Sequence, residues 1–219
     1  MITFAEYYDI FIEEFNNSDE IYMEFAKDPE KYEKQLREIV EASAKKSGYL
    51  IEAWHGSPEE NITEFDPSKA GRRVDSGRFG ADMTYFSDYE EADSYTSKYN
   101  KGNWSKSKPY HVYLKIENPL ILKEGEGAFN ALVERHGYVH NQVTFDRYQE
   151  NGRKYGELIS RYGYDGVFEP DAEYLGRSRP IWAVVNPNQI KSANLVTYDH
   201  IGIIPISRRF DDRMKNINR

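Results

Sequence analysis

Residues 49–57 read YLIEAWHGS, and this stretch defines both the first strand of the predicted core and a candidate site. An apolar run that ends at Trp54 is typical of a buried strand, which would hold His55 at its end in one orientation. Gly56 has no Cβ, so a ligand can approach its backbone N–H and C=O closely. A Ser-Pro step then turns the chain away. A flat ligand with hydroxyls and a carboxamide would suit this strand end, although a single histidine in such a place is more often structural.

The composition excludes several classes of function. The chain has 219 residues, enough for one large domain or one domain with an appendage. It has no cysteine, which excludes disulfides, thiolate zinc sites and a Cys nucleophile and suits a reducing compartment. No apolar run approaches the ~20 residues of a membrane span, and the N-terminus lacks a signal-peptide pattern, so we expect a cytoplasmic protein without membrane association. The net charge of −8 disfavours non-specific binding to phosphate backbones, but a local basic patch could still bind nucleic acid.

The first 48 residues are predicted to form a helical appendage that packs on the following domain. Apolar residues recur there at helical spacing in three groups: Phe4, Tyr8, Phe11, Ile12 and Phe15; Ile21, Tyr22 and Phe25; and Tyr32, Leu36, Ile39 and Val40. Asp28 followed by Pro29 has the pattern of a helix N-terminus and predicts that the third helix begins there. Gly48 stands where a C-terminal cap is expected.

Residues 49–200 are predicted to form an α+β domain. Strands are expected at 50–54, 83–87, 110–116, 167–168 and 181–185, and helices at 88–99, 127–136 and 144–162. Asp88 and Glu91 form a capping box at the start of the first of these helices. A long polar loop covers residues 58–82. Residues 201–219 form a locally basic tail, which is most simply interpreted as a frayed terminus.

Three stretches of this domain follow one another in a specific order. They are WHGS at residues 54–57, TYFSD at residues 84–88 with Tyr95 on the helix behind it, and PNQIKSA at residues 187–193. In this order the chain resembles the His-Tyr-Glu class of ADP-ribosyltransferases. It is similar to the domain found in phage polyvalent proteins and related bacterial toxins, and more distantly to the poly(ADP-ribose) polymerases. The resemblance covers residues 49–198 and implies a split β-sheet core with flanking helices, NAD as substrate and no metal.

The resemblance implies a role for each matching position. His55 would bond a ribose hydroxyl of NAD, and the backbone of Gly56, with Ser57 beside it, would bond the nicotinamide carboxamide. Tyr85 and Tyr95 would stack on the two faces of the nicotinamide ring, because tyrosines supply stacking area at little entropy cost. The bond between nicotinamide and ribose breaks through an oxocarbenium-like state, as in glycoside cleavage. Since nicotinamide is a good leaving group, the enzyme must mainly clamp the ring, twist the ribose and present an acceptor.

Two further groups of polar residues have open interpretations. Arg72, Arg73 and Arg78 in the long loop could bind the diphosphate of NAD, since a guanidinium matches phosphate geometry. They fit solvated loop charges equally well. Gln189, in the closing turn, is better explained as a side chain that bonds the backbone than as a catalytic group.

The chain departs from the family pattern at one position. A glutamate normally opens the strand before the Pro-Asn-Gln turn, where it bonds the ribose and polarises the acceptor, but here that position is Ile181. The resulting His-Tyr-Ile set, His55, Tyr85 and Ile181, is similar to that of some mono-ADP-ribosyltransferases and argues against chain elongation. A carboxylate from the preceding segment could also replace the glutamate, and the candidates are Glu169, Asp171 and Glu173.

These observations lead to one main hypothesis and two alternatives. The main hypothesis is an NAD-dependent mono-ADP-ribosyltransferase, a phage-related effector or toxin that modifies a protein or nucleic acid and has a cognate inhibitor or antitoxin. The first alternative, which Ile181 supports, is a silent module that binds NAD, ADP-ribose or a partner protein. The second alternative is an NAD glycohydrolase, in which water is the acceptor.

Overall fold

The computed structural model of the chain describes residues 18–57, 59, 62, 64–65, 83–98, 108–123, 126–137, 148–174 and 177–211, without the side chains of 97–98, 148–154 and 174. Within these residues the helices are α1 (Ser18–Phe25), α2 (Glu33–Lys46), α3 (Tyr89–Lys98), α4 (Ala128–His136), α5 (Tyr148–Arg161) and α6 (Ile206–Arg209). The strands are β1 (Ile51–His55), β2 (Thr84–Phe86), β3 (Tyr110–Leu114), β4 (Pro119–Ile121), β5 (Gly166–Tyr174), β6 (Arg177–Val184) and β7 (Ile190–Ser192). The chain therefore has the predicted α+β fold. The helix predicted around residues 4–15 lies outside the described residues.

The strands form two sheets that meet at the end of β1. The first sheet has the order β1-β3-β7 and the second has the order β2-β6-β5-β4. All neighbours are antiparallel except β4 and β5, which are parallel. Trp54 and Ser87 exchange two backbone hydrogen bonds, each with an N···O distance of 2.9 Å, and so join β1 to the chain that follows β2. This junction places His55 beside β2.

Three apolar cores surround the sheets. The first lies between them and contains residues from both, including Ala53, Phe86, Val112 and Val184. The second lies where α4 and α5 cover the other face of the second sheet. The third lies where α1, α2 and α6 cover the other face of the first sheet. Each sheet therefore packs against an apolar core on both faces, while some strand positions, such as Glu52 and Ile121, stay exposed.

The start of α2 differs from the prediction, whereas its end agrees. The helix begins at Glu33 and not at Asp28-Pro29. The Asp28 carboxylate accepts the N–H of Lys31, but the residues up to Tyr32 form turns, and the Tyr32 ring stacks on Phe25 of α1 with a centroid distance of 4.6 Å. The cap signal of Asp28 is therefore used by the bend between α1 and α2.

At the end of α2, Gly48 has a φ of +84° and closes the helix. The N–H of Gly48 donates to the carbonyl of Lys45, and the N–H of Tyr49 donates to the carbonyl of Ala44. These two bonds form a Schellman motif, which uses the left-handed conformation that glycine adopts without strain. The predicted C-terminal cap is confirmed.

Two short strands and one short helix were not predicted. The strands β4 and β7 have three residues each and depend on their partners β5 and β3. The helix α6 lies in the predicted basic tail, and Ile206 and Phe210 are buried against α1 and α2. Residues 206–210 are thus part of the third core, whereas the basic positions 213, 215 and 219 lie outside the described residues. None of the described helices is both long and apolar enough to cross a membrane.

Candidate active site

His55 is the last residue of β1, and a single hydrogen bond sets its protonation. Its Nδ1 lies 2.7 Å from the backbone carbonyl oxygen of Tyr85. Because a carbonyl only accepts, Nδ1 carries the hydrogen and Nε2 presents its lone pair. Among the described residues nothing else bonds to the imidazole. Burial lowers the pKa of His55, and the bond to Tyr85 only partly opposes this effect. The side chain is therefore a neutral hydrogen-bond acceptor at neutral pH.

Aromatic rings enclose the His55 imidazole on the side of the inter-sheet core. Phe65 meets it edge-on with a centroid distance of 5.1 Å, and Phe86 lies at 5.6 Å. Tyr110, the cross-strand partner of His55, lies at 6.4 Å. The Tyr110 hydroxyl donates to the carbonyl of Glu59 and accepts the N–H of Ile62, so it ties the loop after the site to β3. Sequence reasoning missed these rings, because strand register brings Tyr110 to the site.

Gly56 is required by the close approach of α3. A Cβ added at this residue would lie 2.1 Å from the carbonyl oxygen of Ala92 and 2.7 Å from the Cβ of Tyr95. The sequence argument assigned the glycine to ligand access alone and did not include this packing. The backbone N–H and C=O of Gly56 make no hydrogen bond to a described residue. Gly56 therefore brings Tyr95 beside the end of β1 and also keeps two polar groups available there.

Ser57 turns the chain immediately after the site. It is buried, and its hydroxyl accepts the N–H of Glu59 at 3.1 Å. Such a short-range bond stabilises a turn. The side chain of Ser57 thus helps to direct the loop away from Gly56.

Tyr85 contacts His55 through its backbone, while its side chain lies on the other face of β2. Phe86 belongs to the core between the sheets, whereas Tyr85 packs against the core under α4 and α5. Ile181 packs against that same core. Because Tyr85 pairs with Ala183, two residues from Ile181, both side chains lie on one face of the second sheet. The three residues of the predicted His-Tyr-Ile set thus flank one junction but face two sides of β2.

The three candidate carboxylates are separated by a bulge in β5. Glu169 pairs directly with Ile181 and is fully buried. The register then shifts, and Asp171 and Glu173 are both exposed. Asp171 accepts the hydroxyl of Ser178 at 3.2 Å. Of the three, the structure brings only Glu169 beside Ile181.

An ion-pair network fixes α3 on the second sheet. The Asp88 carboxylate caps the helix by accepting the N–H of Glu91 at 2.9 Å, which is one of the two bonds of the predicted capping box. Arg179 of β6 donates to Asp88 with an N···O distance of 2.5 Å and also to Glu90. These hydrogen bonds raise the pKa of Arg179. The network, which sequence reasoning missed, sets the position of α3 and therefore of Tyr95.

Gln189 has a structural role, as expected. Its Nε2 donates to the carbonyls of Asp165 and Lys115 at 2.7 and 3.1 Å, and its Oε1 accepts the N–H of Asn186. The side chain thereby joins the ends of three segments around the closing turn. This explains a glutamine at this position without any contact with a ligand.

The predicted binding residues of the long loop, Arg72, Arg73 and Arg78, lie outside the described residues. Within the described part of the chain, no group of three or more His, Cys, Asp or Glu side chains could hold a metal ion.

The chain matches one protein family. The family model described as "ADP-Ribosyltransferase in polyvalent proteins" matches residues 45–197, which include β1, both predicted tyrosines and the closing turn. No curated protein and no solved structure shows significant similarity to the chain. The match begins within α2 and ends before α6.

Proposed function

Since the chain belongs to the family of ADP-ribosyltransferases in polyvalent proteins, we propose that it is a mono-ADP-ribosyltransferase that uses NAD. ADP-ribosyl transfer is the activity that the family supports, and NAD is the family's substrate. We further propose that each acceptor site receives one ADP-ribose unit, that the acceptor is a macromolecule, and that residues around the end of β1 bind NAD. We place the enzyme in the cytosol, because its sequence has no cysteine.

The observation that carries the proposal is the tautomer of the neutral His55 side chain, with the hydrogen on Nδ1 and the lone pair on Nε2. Its Nδ1–H is occupied by the Tyr85 carbonyl, and its Nε2 is a neutral acceptor beside the open backbone groups of Gly56. A ribose hydroxyl can donate to that nitrogen, while a carboxamide can bond both the N–H and the C=O of one residue. The two neighbouring residues thus offer complementary partners for the nicotinamide riboside half of NAD.

Aromatic and basic residues complete the proposed NAD site. Tyr85 and Tyr95 would stack on the nicotinamide ring, with Tyr95 held close to Gly56 by α3. Ser57 would line the carboxamide end. Arg72 and Arg78 would bind the diphosphate, because an arginine can bond two phosphate oxygens at once. This clamp would act by orientation, and nicotinamide would leave from a twisted ribose.

Ile181 is the reason for proposing a single transfer. An aliphatic side chain at this position cannot accept a proton from a ribose hydroxyl of an ADP-ribose already attached. The acceptor would therefore be a macromolecule, protein or nucleic acid, and each site would receive one unit. As a phage-related effector or toxin, such an enzyme would be controlled by a cognate inhibitor or antitoxin.

The test is transfer of label from NAD to a whole-cell lysate. We expect labelled macromolecules and released nicotinamide with the wild-type enzyme, and neither with Tyr85→Ala or His55→Ala. Sensitivity of the label to protease or to nuclease identifies the acceptor class. Rapid nicotinamide release without any labelled macromolecule would identify an NAD glycohydrolase instead.

A silent NAD-binding module is the second candidate, and Ile181 is the observation that favours it. Such a module would keep the His55 and Gly56 contacts and lack a catalytic carboxylate at the family position. Calorimetry with NAD, combined with the lysate assay, separates the two candidates. Tight binding without turnover in the presence of lysate would favour the module, whereas turnover would exclude it.

A further inference from the structure

A buried carboxylate stands beside the position at which the family glutamate is replaced. Glu169 of β5 pairs with Ile181 of β6 in the antiparallel register. Directly opposed residues have Cβ atoms about 5 Å apart and point to the same face of a sheet. Tyr85 packs on this face too, since it pairs with Ala183 on the other side of β6. Glu169, Ile181 and Tyr85 therefore lie on one face of three adjacent strands.

A glutamate at this position is costly to bury. The neighbours of Glu169 on the same face include Val167 and Ala183, and all three are fully buried. Removing a carboxylate from water costs several kcal/mol even when it finds partners, and an apolar residue often serves such a position equally well. A buried ionisable group on the face of a candidate site is therefore a candidate for a functional role.

The bulge in β5 distinguishes Glu169 from the other acidic residues of the strand. Beyond it, Asp171 and Glu173 are exposed, and Glu173 pairs with Ser178. Both alternate with Ala172, whose partner Arg179 lies two residues from Ile181, so both lie on the face of the sheet opposite Tyr85. Only Glu169 has both the strand register and the burial of a side chain on that face.

We propose that Glu169 is the catalytic carboxylate of the ADP-ribosyl transfer, acting from β5 where the family pattern has a glutamate on β6. This inference rests on the proposed function. In the step, the bond between C1″ of the nicotinamide ribose and the ring nitrogen breaks, and its electron pair leaves with nicotinamide. A lone pair of the acceptor forms the new bond to C1″, and the acceptor's proton passes to water. Glu169 does not take this proton, and its negative charge stabilises the oxocarbenium-like cation.

The test compares Glu169→Gln, the double variant Glu169→Gln with Ile181→Glu, and the control Glu173→Gln. Glutamine keeps the shape of the side chain and removes its charge, and Glu173 is an exposed carboxylate of the same strand. Nicotinamide release from NAD is measured with a whole-cell lysate as the source of acceptors. We expect Glu169→Gln to lower kcat about 100-fold, the scale of a lost group that stabilises charge in the transition state. The KM for NAD should change less than about threefold, because the loss concerns the transition state.

Glu173→Gln is the control for the loss of activity, and the double variant tests whether a carboxylate on β6 restores it. Glu173→Gln should stay within about twofold of wild type, since exposed substitutions away from a site have small effects. The double variant, which returns a carboxylate from β6, should recover at least about tenfold of the activity lost by Glu169→Gln. The melting temperatures of Glu169→Gln and Glu173→Gln should not fall below that of wild type.

Several outcomes would overturn the role of Glu169. An unchanged kcat in Glu169→Gln would do so, and so would an equal loss in Glu173→Gln. A lower melting temperature with a loss of kcat that Ile181→Glu does not restore would identify a structural residue. A wild-type enzyme without any turnover would overturn the proposed function, and the role of Glu169 with it. Turnover by wild type therefore separates the two kinds of failure.

Discussion

The end of β1 and the outer face of the first sheet use their polar groups in opposite ways. At the end of β1, the Nε2 of His55 and the backbone groups of Gly56 make no hydrogen bond to a described residue. The outer face is covered by α1, α2 and α6, which we call the helical clasp. There, Arg209 is buried and donates to the carbonyls of Ser192, Asn194 and Leu195 as well as to the Tyr22 hydroxyl.

The helical clasp also joins two distant parts of the chain. The Asp19 carboxylate accepts both the N–H and the hydroxyl of Ser207, at 2.8 and 2.6 Å. The buried Lys191 donates to the carbonyl of Asp211 at 2.9 Å. These polar groups bond within the fold, whereas the Nε2 of His55 and the backbone groups of Gly56 make no such bond to a described residue. Substitutions in the clasp should therefore cost stability, and substitutions at the end of β1 should cost activity.

The largest expected effect is the loss of turnover in His55→Phe. Phenylalanine retains the packing against Phe65 and Phe86 but has no ring nitrogen. We expect kcat/KM for NAD to fall about 1,000-fold, the upper scale for losing one positioned hydrogen-bonding group. The free energy of unfolding should fall by only about 1 kcal/mol, because one hydrogen bond is lost. Kinetics and urea unfolding measure the two quantities.

His136→Phe is the matched control for this substitution. His136 bonds the Tyr164 hydroxyl and stacks on Tyr162 at the end of α4, away from the site. The His136→Phe variant should retain the wild-type kcat/KM for NAD. Equal losses of activity in the two variants would remove the distinction between the end of β1 and the rest of the fold.

The opposite result is expected for Arg209→Met in the clasp. Methionine fills part of the space but cannot donate to the carbonyls of Ser192 and Asn194, whereas the Leu195 carbonyl keeps the Tyr22 hydroxyl. We expect the free energy of unfolding to fall by about 3 kcal/mol, since each unsatisfied buried group costs about 1 kcal/mol or more. At temperatures where the chain stays folded, kcat should be unchanged. Arg208 is the exposed neighbour of Arg209, and Arg208→Met should leave both kcat and the free energy of unfolding unchanged. A loss of kcat in Arg209→Met without a loss of stability would contradict the assignment of the clasp to stability.

Gly56→Ala should affect both stability and activity, because Gly56 belongs to the candidate site and also packs against α3. The added methyl group overlaps the Ala92 carbonyl, so α3 and Tyr95 must move. We expect a loss of about 2 kcal/mol in stability, as for other overpacked positions, together with a higher KM for NAD. Gly127→Ala is the control, since a Cβ there meets nothing within 4 Å, and its cost should stay below about 1 kcal/mol. A lower stability without any change in KM would show that Tyr95 does not contact NAD.

The features that the sequence predicted well are those set by local chemistry. Gly48 ends α2 and Asp88 begins α3, because each cap depends on residues within one helical turn. Asp28 shows the limit of such signals, since the same type of cap here stabilises a turn before the helix begins at Glu33. The position of His55 and Gly56 at the end of a strand could also be predicted, because the apolar run and these residues are consecutive.

The features that the sequence could not predict depend on contacts between distant segments. The pairing of Glu169 with Ile181 follows from the hairpin of β5 and β6 and its bulge, and neither residue alone indicates it. Arg179 reaches Asp88 across 91 positions of the chain. The short strands β4 and β7 exist through their partners, so no local pattern marks them.

The smallest expected effect is the pH dependence of activity and of stability. Burial lowers the pKa of His55 below its ordinary value of about 6.5, and no described carboxylate bonds to it. Above that pH His55 is neutral in both folded and unfolded chains. As the pH falls, the unfolded chain is protonated first, so the stability contributed by His55 decreases below about pH 6.5. The acceptor at Nε2 is then lost as the pH passes the lowered pKa of the folded state, and kcat/KM should fall with it.

His111 provides the control for this pH dependence, because its pKa is also lowered by burial, although Glu52 opposes the shift. His111→Phe should remove part of the acid loss of stability, since one buried neutral histidine fewer takes up a proton on unfolding. The acid decline of kcat/KM should persist in this variant and disappear only when His55 is changed. Profiles of kcat/KM and of unfolding free energy between pH 5 and pH 8 measure both effects. If the acid decline in activity disappeared in His111→Phe, the titrating group would be His111 of β3 and not His55. That result would contradict the role of His55 as a neutral acceptor.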